Sequence, residues 1–112
     1  MKFTLVTVTN NDEAIPLDRL PLIIGRNSEA GLRLQDRFVS QFHCEIREIN
    51  GVLFVQDLGS KHGCLINGII ATESPLMPGD RLSVGLTTFI VQYENLEGRL
   101  NEQPELQLAI EA

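Results

Sequence analysis

Four short segments of this 112-residue chain carry side chains suited to capturing a phosphate group: Gly25-Arg26, Ser40-Gln41-Phe42-His43, Asp57-Leu58-Gly59-Ser60-Lys61-His62-Gly63 and Asn67-Gly68. Each lies at the end of a strand-like run, so an arginine, a hydroxyl and an ammonium are expected on neighbouring loops. A guanidinium is a planar fork of paired donors that never deprotonates, and it meets phosphate oxygens two at a time. Ser40 adds a hydroxyl donor and Lys61 a compact positive charge.

Other chemistry drawn from the same residues is less well supported. His43, Cys44, His62 and Cys64 are all metal-ligand types. Adjacent strand residues face opposite sides of a sheet, however, so His43 and Cys44 are not expected on one ion, and no Cys-x-x-Cys spacing occurs. Ser40, His43 and Asp57 supply the residue types of a hydrolytic triad, but without a Gly-x-Ser-x-Gly elbow or the scaffold for a deep pocket that excludes water. Neither a metal, a cofactor nor a catalytic residue is expected.

Composition narrows the partners. The chain is 43% apolar and 21% charged, the balance of a globular domain with one core. Its net charge of −6 repels nucleic acid and anionic lipid, so an anion site has to be a local cluster of cations on an acidic body. The longest apolar stretch, Leu20 to Gly25, contains a proline and is far short of the roughly twenty residues of a membrane helix. The first residues lack the unbroken apolar region of a signal peptide, which places the protein in the cytoplasm. Cys44 and Cys64 are then expected as buried free thiols.

The elements that must position these side chains are short strands. Asn50-Gly51 between Cys44 to Ile49 and Val52 to Gln56 is a strong hairpin signal, because both residues tolerate positive φ in a type I′ turn. Asn67-Gly68 between Leu65-Ile66 and Ile69-Ile70 gives a second, tighter hairpin. Gly85-Leu86 between Arg81 to Val84 and Thr87 to Tyr93 gives a third, with Pro78-Gly79-Asp80 as the turn before it. Met1 to Val8 and Leu20 to Gly25 supply further strands. The pattern is all-β, an antiparallel sandwich of two sheets over residues 1–94. Residues 95–112 read as a polar, acidic tail or linker.

Taken together, the spaced segments resemble the forkhead-associated (FHA) domain family over about residues 20 to 93. That family's pattern runs Gly-Arg, Ser-x-x-His, Ser-x-Asn-Gly-Thr and Asn-Gly. This chain has Gly25-Arg26, Ser40-Gln41-Phe42-His43, Ser60-Lys61-His62-Gly63-Cys64 and Asn67-Gly68. Two positions depart: His62 stands where Asn is usual, and Cys64 where Thr is usual.

The resemblance implies a twisted two-sheet β-sandwich that is not an enzyme and binds a phosphothreonine peptide on loops at one end. It implies Arg26, Ser40 and Lys61 on the phosphate, with Gln41 and His62 on the peptide main chain. A neutral imidazole donates from one nitrogen and accepts at the other, so His62 can imitate the amide it replaces. Gly25, His43, Gly63, Asn67 and Gly68 are implied to hold the shape of the site, Gly25 by giving the backbone freedom before Arg26. Such a module brings its carrier protein to partners marked by a kinase. The alternative is a member of the family that has lost phosphate recognition and binds other proteins through a sheet surface or the tail. The sequence leaves the number of copies in solution open.

Overall fold

Among the described residues eleven strands build two sheets, and the longer strands turn alternate side chains inward. The computed structural model describes residues 1–8 and 12–94, so the tail expected over residues 95–112 lies outside the described residues. The strands are β1 (Lys2–Thr7), β2 (Ala14–Pro16), β3 (Leu22–Gly25), β4 (Leu32–Arg33), β5 (Cys44–Ile49) and β6 (Val52–Asp57). They continue with β7 (Cys64–Ile66), β8 (Ile69–Ala71), β9 (Glu73–Leu76), β10 (Arg81–Val84) and β11 (Thr87–Glu94). One sheet has the order β2-β1-β11-β10-β7-β8 and the other β4-β3-β5-β6-β9. Only the β3–β4 pair is parallel among the described strands.

Inward positions two residues apart make the core. Cys44 and Ile46 of β5, Leu53 and Val55 of β6, Leu82 and Val84 of β10, and Phe89 and Val91 of β11 are all buried. Outward positions carry the charges: Arg47 on β5 pairs with Glu45 and also donates to Gln56 on β6. Tyr93 of β11 ties the two sheets together. Its hydroxyl accepts the Leu53 N–H at 2.8 Å and donates to the Leu76 carbonyl, while its ring meets Phe3 edge-on.

The expected hairpins are present. Ile49 pairs with Val52 around Asn50-Gly51, and Ile66 pairs with Ile69 around Asn67-Gly68, with φ of 52° and 83° in the first turn and 53° and 84° in the second. Positive φ at both central residues is the mark of a type I′ turn. Val84 pairs with Thr87 around Gly85-Leu86, and Asp80 N–H closes the preceding turn on the Met77 carbonyl at 3.0 Å.

Three strands had no reading in the sequence: β2, β4 and β9. All are short edge strands, and two contain proline, Pro16 in β2 and Pro75 in β9. An edge tolerates proline because its missing N–H is not needed by a neighbour on that side.

The sandwich has two distinct ends. Turns Asn50-Gly51, Asn67-Gly68 and Gly79 lie at the foot, where Lys2 pairs with Glu94. The β3–β4 and β6–β7 loops, the segment running from β4 to β5 and the Gly85-Leu86 turn gather at the opposite rim.

Candidate functional site

Arg26 is the first residue after β3, and its backbone is held at the rim from both sides. Its N–H donates to the Ser40 carbonyl at 2.9 Å, and its own carbonyl accepts Nε of Arg33 at 2.9 Å. The side chain is equally fixed. Nε donates to the Val39 carbonyl at 2.9 Å, and in the orientation that satisfies both groups the Gln41 amide oxygen accepts from both terminal nitrogens at 3.1 and 3.2 Å. Of the five guanidinium N–H donors, two are left uncommitted.

Gly25, just before it, permits this approach by its size. A Cβ there would lie 2.1 Å from the Gln41 carbonyl oxygen. Gly25 is absent from the positive-φ glycines, so the freedom expected from the sequence is replaced by a close passage of one backbone over another.

Ser40 is joined to the β6–β7 loop. Its hydroxyl oxygen accepts the Lys61 N–H at 3.0 Å, which leaves its own O–H to donate elsewhere. Arg33, Arg26, Ser40 and Lys61 thus form one continuous row, each bonded to the next. The one ion pair among the described residues joins Arg47 and Glu45 on the sheet face, so no described carboxylate is paired with the row. Lys61 is exposed, and Arg26 and Ser40 are partly so.

His43 is fully buried beneath the row and sets its shape. Its Nδ1 accepts the Ser40 N–H at 3.0 Å, so the ring hydrogen sits on Nε2, which donates to the Gly63 carbonyl at 2.8 Å. One imidazole therefore couples the two loops that carry Ser40 and Lys61. This geometry does not make a triad. The nitrogen facing Ser40 is taken by its backbone rather than its hydroxyl, and the other nitrogen goes to a carbonyl.

Asp57 shapes the second loop. Its carboxylate accepts the N–H groups of Gly59 and Ser60, each at 2.9 Å, and the Ser60 hydroxyl, which in turn accepts the Gly63 N–H at 2.8 Å. Partial burial pushes its carboxyl up, but the bonds from Ser60, Gly59 and the Cys64 thiol outweigh that and hold it below the ordinary carboxylate value.

His43, Asp57 and Cys64 bring their ligand atoms within 4.8 Å of one another; His43 and Cys64 are among the four metal-ligand types noted in the sequence, and Asp57 is not. Both His43 nitrogens are engaged, and Cys64 donates to Asp57 at 3.6 Å, so protons already join this cluster. Cys44 and Cys64 are buried free thiols; the hydrogen bond to Cys64, then burial, raise the Cys44 thiol well above its usual value.

His62 stands exposed beyond Lys61, edge-on to Phe38 with ring centroids 5.5 Å apart. With Gly63, Leu65, Gly85 and Leu86 these two rings line an open recess of about 230 Å³ beside the row. Asp36 holds the recess together: its carboxylate accepts the N–H of Phe38 at 2.7 Å and of Leu86 at 2.9 Å. Asn67-Gly68 lies away from the rim, at the foot end of β7. There Asn67 braces the start of β10 through Asp80 at 3.1 Å and the Arg81 N–H at 3.0 Å.

Arg33 and Asp36 were not singled out in the sequence. The available signal was Leu32 and Leu34 alternating with Arg33, which puts the arginine on the outer side of a two-residue strand.

The model of the FHA domain family matches residues 22–85, a span that runs from β3 to the β10–β11 turn and contains every residue of the row. The chain belongs to the FHA family. A solved FHA domain described in a structural and functional analysis of phosphothreonine-dependent FHA interactions superimposes with a TM-score of 0.79 at 32% identity, covering 86% of this chain and all of that one. Among curated relatives, the FHA domain-containing protein FhaA of Mycobacterium tuberculosis is 39% identical over 70 residues, 62% of this chain. The oxoglutarate dehydrogenase inhibitor of Corynebacterium diphtheriae is 35% identical over 69 residues, again 62% of this chain. This FHA chain spans 13% of the length of FhaA and 48% of the inhibitor.

Proposed function

We propose that this FHA domain reads phosphothreonine in an extended peptide and so brings its carrier protein to partners marked by a kinase. The observation that carries the reading is the row itself: a guanidinium with two uncommitted donors, a hydroxyl with a free O–H and an ammonium, linked through bonds of 2.9 and 3.0 Å, with no acid among the described residues paired to them. In an acidic body of net charge −6 such a cluster is the local exception that an anion site requires.

Arg26, Ser40 and Lys61 take the phosphate. Charge-assisted hydrogen bonds contribute about 1.5 to 3 kcal/mol each, so the two donors of Arg26 contribute about 3 to 6 kcal/mol. Gln41 holds Arg26 with its oxygen and has its NH₂ group for the peptide main chain, which His62 meets from the other loop. Gly25, His43 and Gly63 keep the two loops in register, and Asn67-Gly68 acts at a distance by fixing β7. The chain binds and does not catalyse. Among the described residues no helix is long and apolar enough to cross a membrane. The reading places the domain with the kinases of the cytoplasm.

Fluorescence anisotropy against peptides carrying phosphothreonine, phosphoserine or unmodified threonine tests it. The phosphothreonine form binds, the unmodified form does not, and Arg26→Ala weakens binding by at least about a hundredfold. Equal binding of modified and unmodified peptides by both proteins refutes it. That result favours contact through a sheet surface, for which Ile69 and Ile70 on edge strand β8, 71% and 66% exposed, are the most exposed apolar strand residues among those described.

A further inference from the structure

The row does not end at Arg26. Arg33 lies on the side of Arg26 away from Ser40, on β4, where Gly25 pairs with Arg33 in the parallel β3–β4 ladder. Its Nε is spent on the Arg26 carbonyl at 2.9 Å, which fixes the guanidinium plane, while neither terminal nitrogen has a carboxylate partner among the described residues. A bond from Nε to a main-chain carbonyl has a further effect: the paired outer N–H groups form the edge of the fork that meets carboxylate or phosphate two oxygens at a time.

Arg33 is tied and still has its outer edge unpaired. It therefore presents a second fixed positive fork on the neighbouring strand, with its Nε 2.9 Å from the carbonyl of Arg26 itself. An extended peptide advances about 3.3 Å per residue, so a group reaching Arg33 belongs to a residue within about three positions of the one whose phosphate lies on Arg26.

Resting on the phosphothreonine reading above, we propose that Arg33 is a second anion-reading position, which selects phosphothreonine peptides carrying another acidic group, a carboxylate or a second phosphate, within about three residues of the mark. The acidic body strengthens the selection. The net charge of −6 disfavours an additional peptide charge on the body as a whole, so a gain confined to one or two positions marks those from which the fork is reached.

The test is a positional series of fluorescent phosphothreonine peptides with neutral flanks, into which a single Asp or a single phosphoserine is placed in turn at each of the three positions on either side. These are titrated against the wild-type chain and Arg33→Gln at low and physiological salt. The expected result is a gain of about three- to tenfold at one or two adjacent positions for the wild type, larger with phosphoserine than with Asp, and no gain for Arg33→Gln. The quantity compared is the ratio of acidic to neutral-flank affinity within each protein, because Arg33→Gln also removes the Nε bond that braces the Arg26 carbonyl. The proposal is overturned if no position gives a gain, or if the gain survives in Arg33→Gln. It is also overturned if Arg33→Gln weakens neutral and acidic peptides alike, which makes Arg33 a brace for Arg26 alone. Failure of the wild type to distinguish the neutral-flank phosphothreonine peptide from its unmodified form marks instead the failure of the phosphothreonine reading.

Discussion

Replacing Gly25 by Ala tests the rim through a single methyl group. The new Cβ would stand 2.1 Å from the Gln41 carbonyl oxygen, 2.9 Å from its carbon and 3.0 Å from the Phe42 Cα, all of them backbone atoms. Restoring even a tight contact moves that segment by about 1 Å, and no rotamer change can absorb the shift. The displaced carbonyl is the acceptor for the Asn27 N–H at 3.0 Å, and its neighbours bond Arg26 and Ile24 at 2.9 Å. Overpacking costs about 1 to 3 kcal/mol and the lost hydrogen bond about 0.5 to 1.5 more, so the variant loses about 1.5 to 4.5 kcal/mol. From a domain whose whole stability is about 5 to 15 kcal/mol, that is a large fraction.

Urea unfolding at pH 7 measures the loss, and anisotropy with the phosphothreonine peptide measures the consequence, because the same segment carries Ser40 and the Gln41 amide that holds Arg26. Gly51→Ala is the control. Nothing lies within 4 Å of a Cβ there, so it suffers only the strain of a left-handed φ of 83°, about 1 to 2 kcal/mol, and keeps its binding. A Gly25→Ala protein within about 0.5 kcal/mol of wild type, or one that binds peptide unchanged, refutes the close-passage argument.

Two further outcomes follow from the hydrogen bonds. Tyr93→Phe keeps the ring against Phe3 but strips the Leu53 N–H and the Leu76 carbonyl of their shared partner, so it destabilises by about 1 to 3 kcal/mol; a urea midpoint equal to wild type removes the inter-sheet tie. Asp57 is held below the ordinary carboxylate value in the folded chain, so the unfolded chain binds the proton first as pH falls, and stability drops from about pH 3.9 downward until the folded carboxyl is protonated too. Asp57→Asn is less stable at neutral pH and lacks that slope, and parallel acid profiles for the two proteins, measured by urea midpoints between pH 5 and 2.5, contradict the assignment.

Much of the fold was legible because turn chemistry is local. Asn50-Gly51 and Asn67-Gly68 need only their own positive φ, and each fixed the register of a hairpin from two residues. Three of the four edge strands, β2, β4 and β9, were not legible for the opposite reason. β4 is two residues long and exists because Ile24 and Gly25 of β3 pair with it in parallel, a contact between segments that no local pattern announces. Arg33 was missed with it, since its place beside Arg26 depends on that pairing. Asp36 was missed similarly: it bonds Leu86, fifty residues away, and nothing near it in the chain marks it as more than a loop carboxylate. The role of Gly25 was misread because a glycine's lack of a side chain and its freedom in φ look identical in a sequence.

The pairing of Lys2 with Glu94 at the foot gives the domain a practical property. Its two points of attachment sit side by side, separated by the roughly 5 Å of an antiparallel pair. A host protein can therefore take the sandwich into a surface loop almost without spreading that loop, and a dye, bead or electrode linked there stands a full strand length away from the rim. Grafted in this way, the sandwich becomes a portable sensor head.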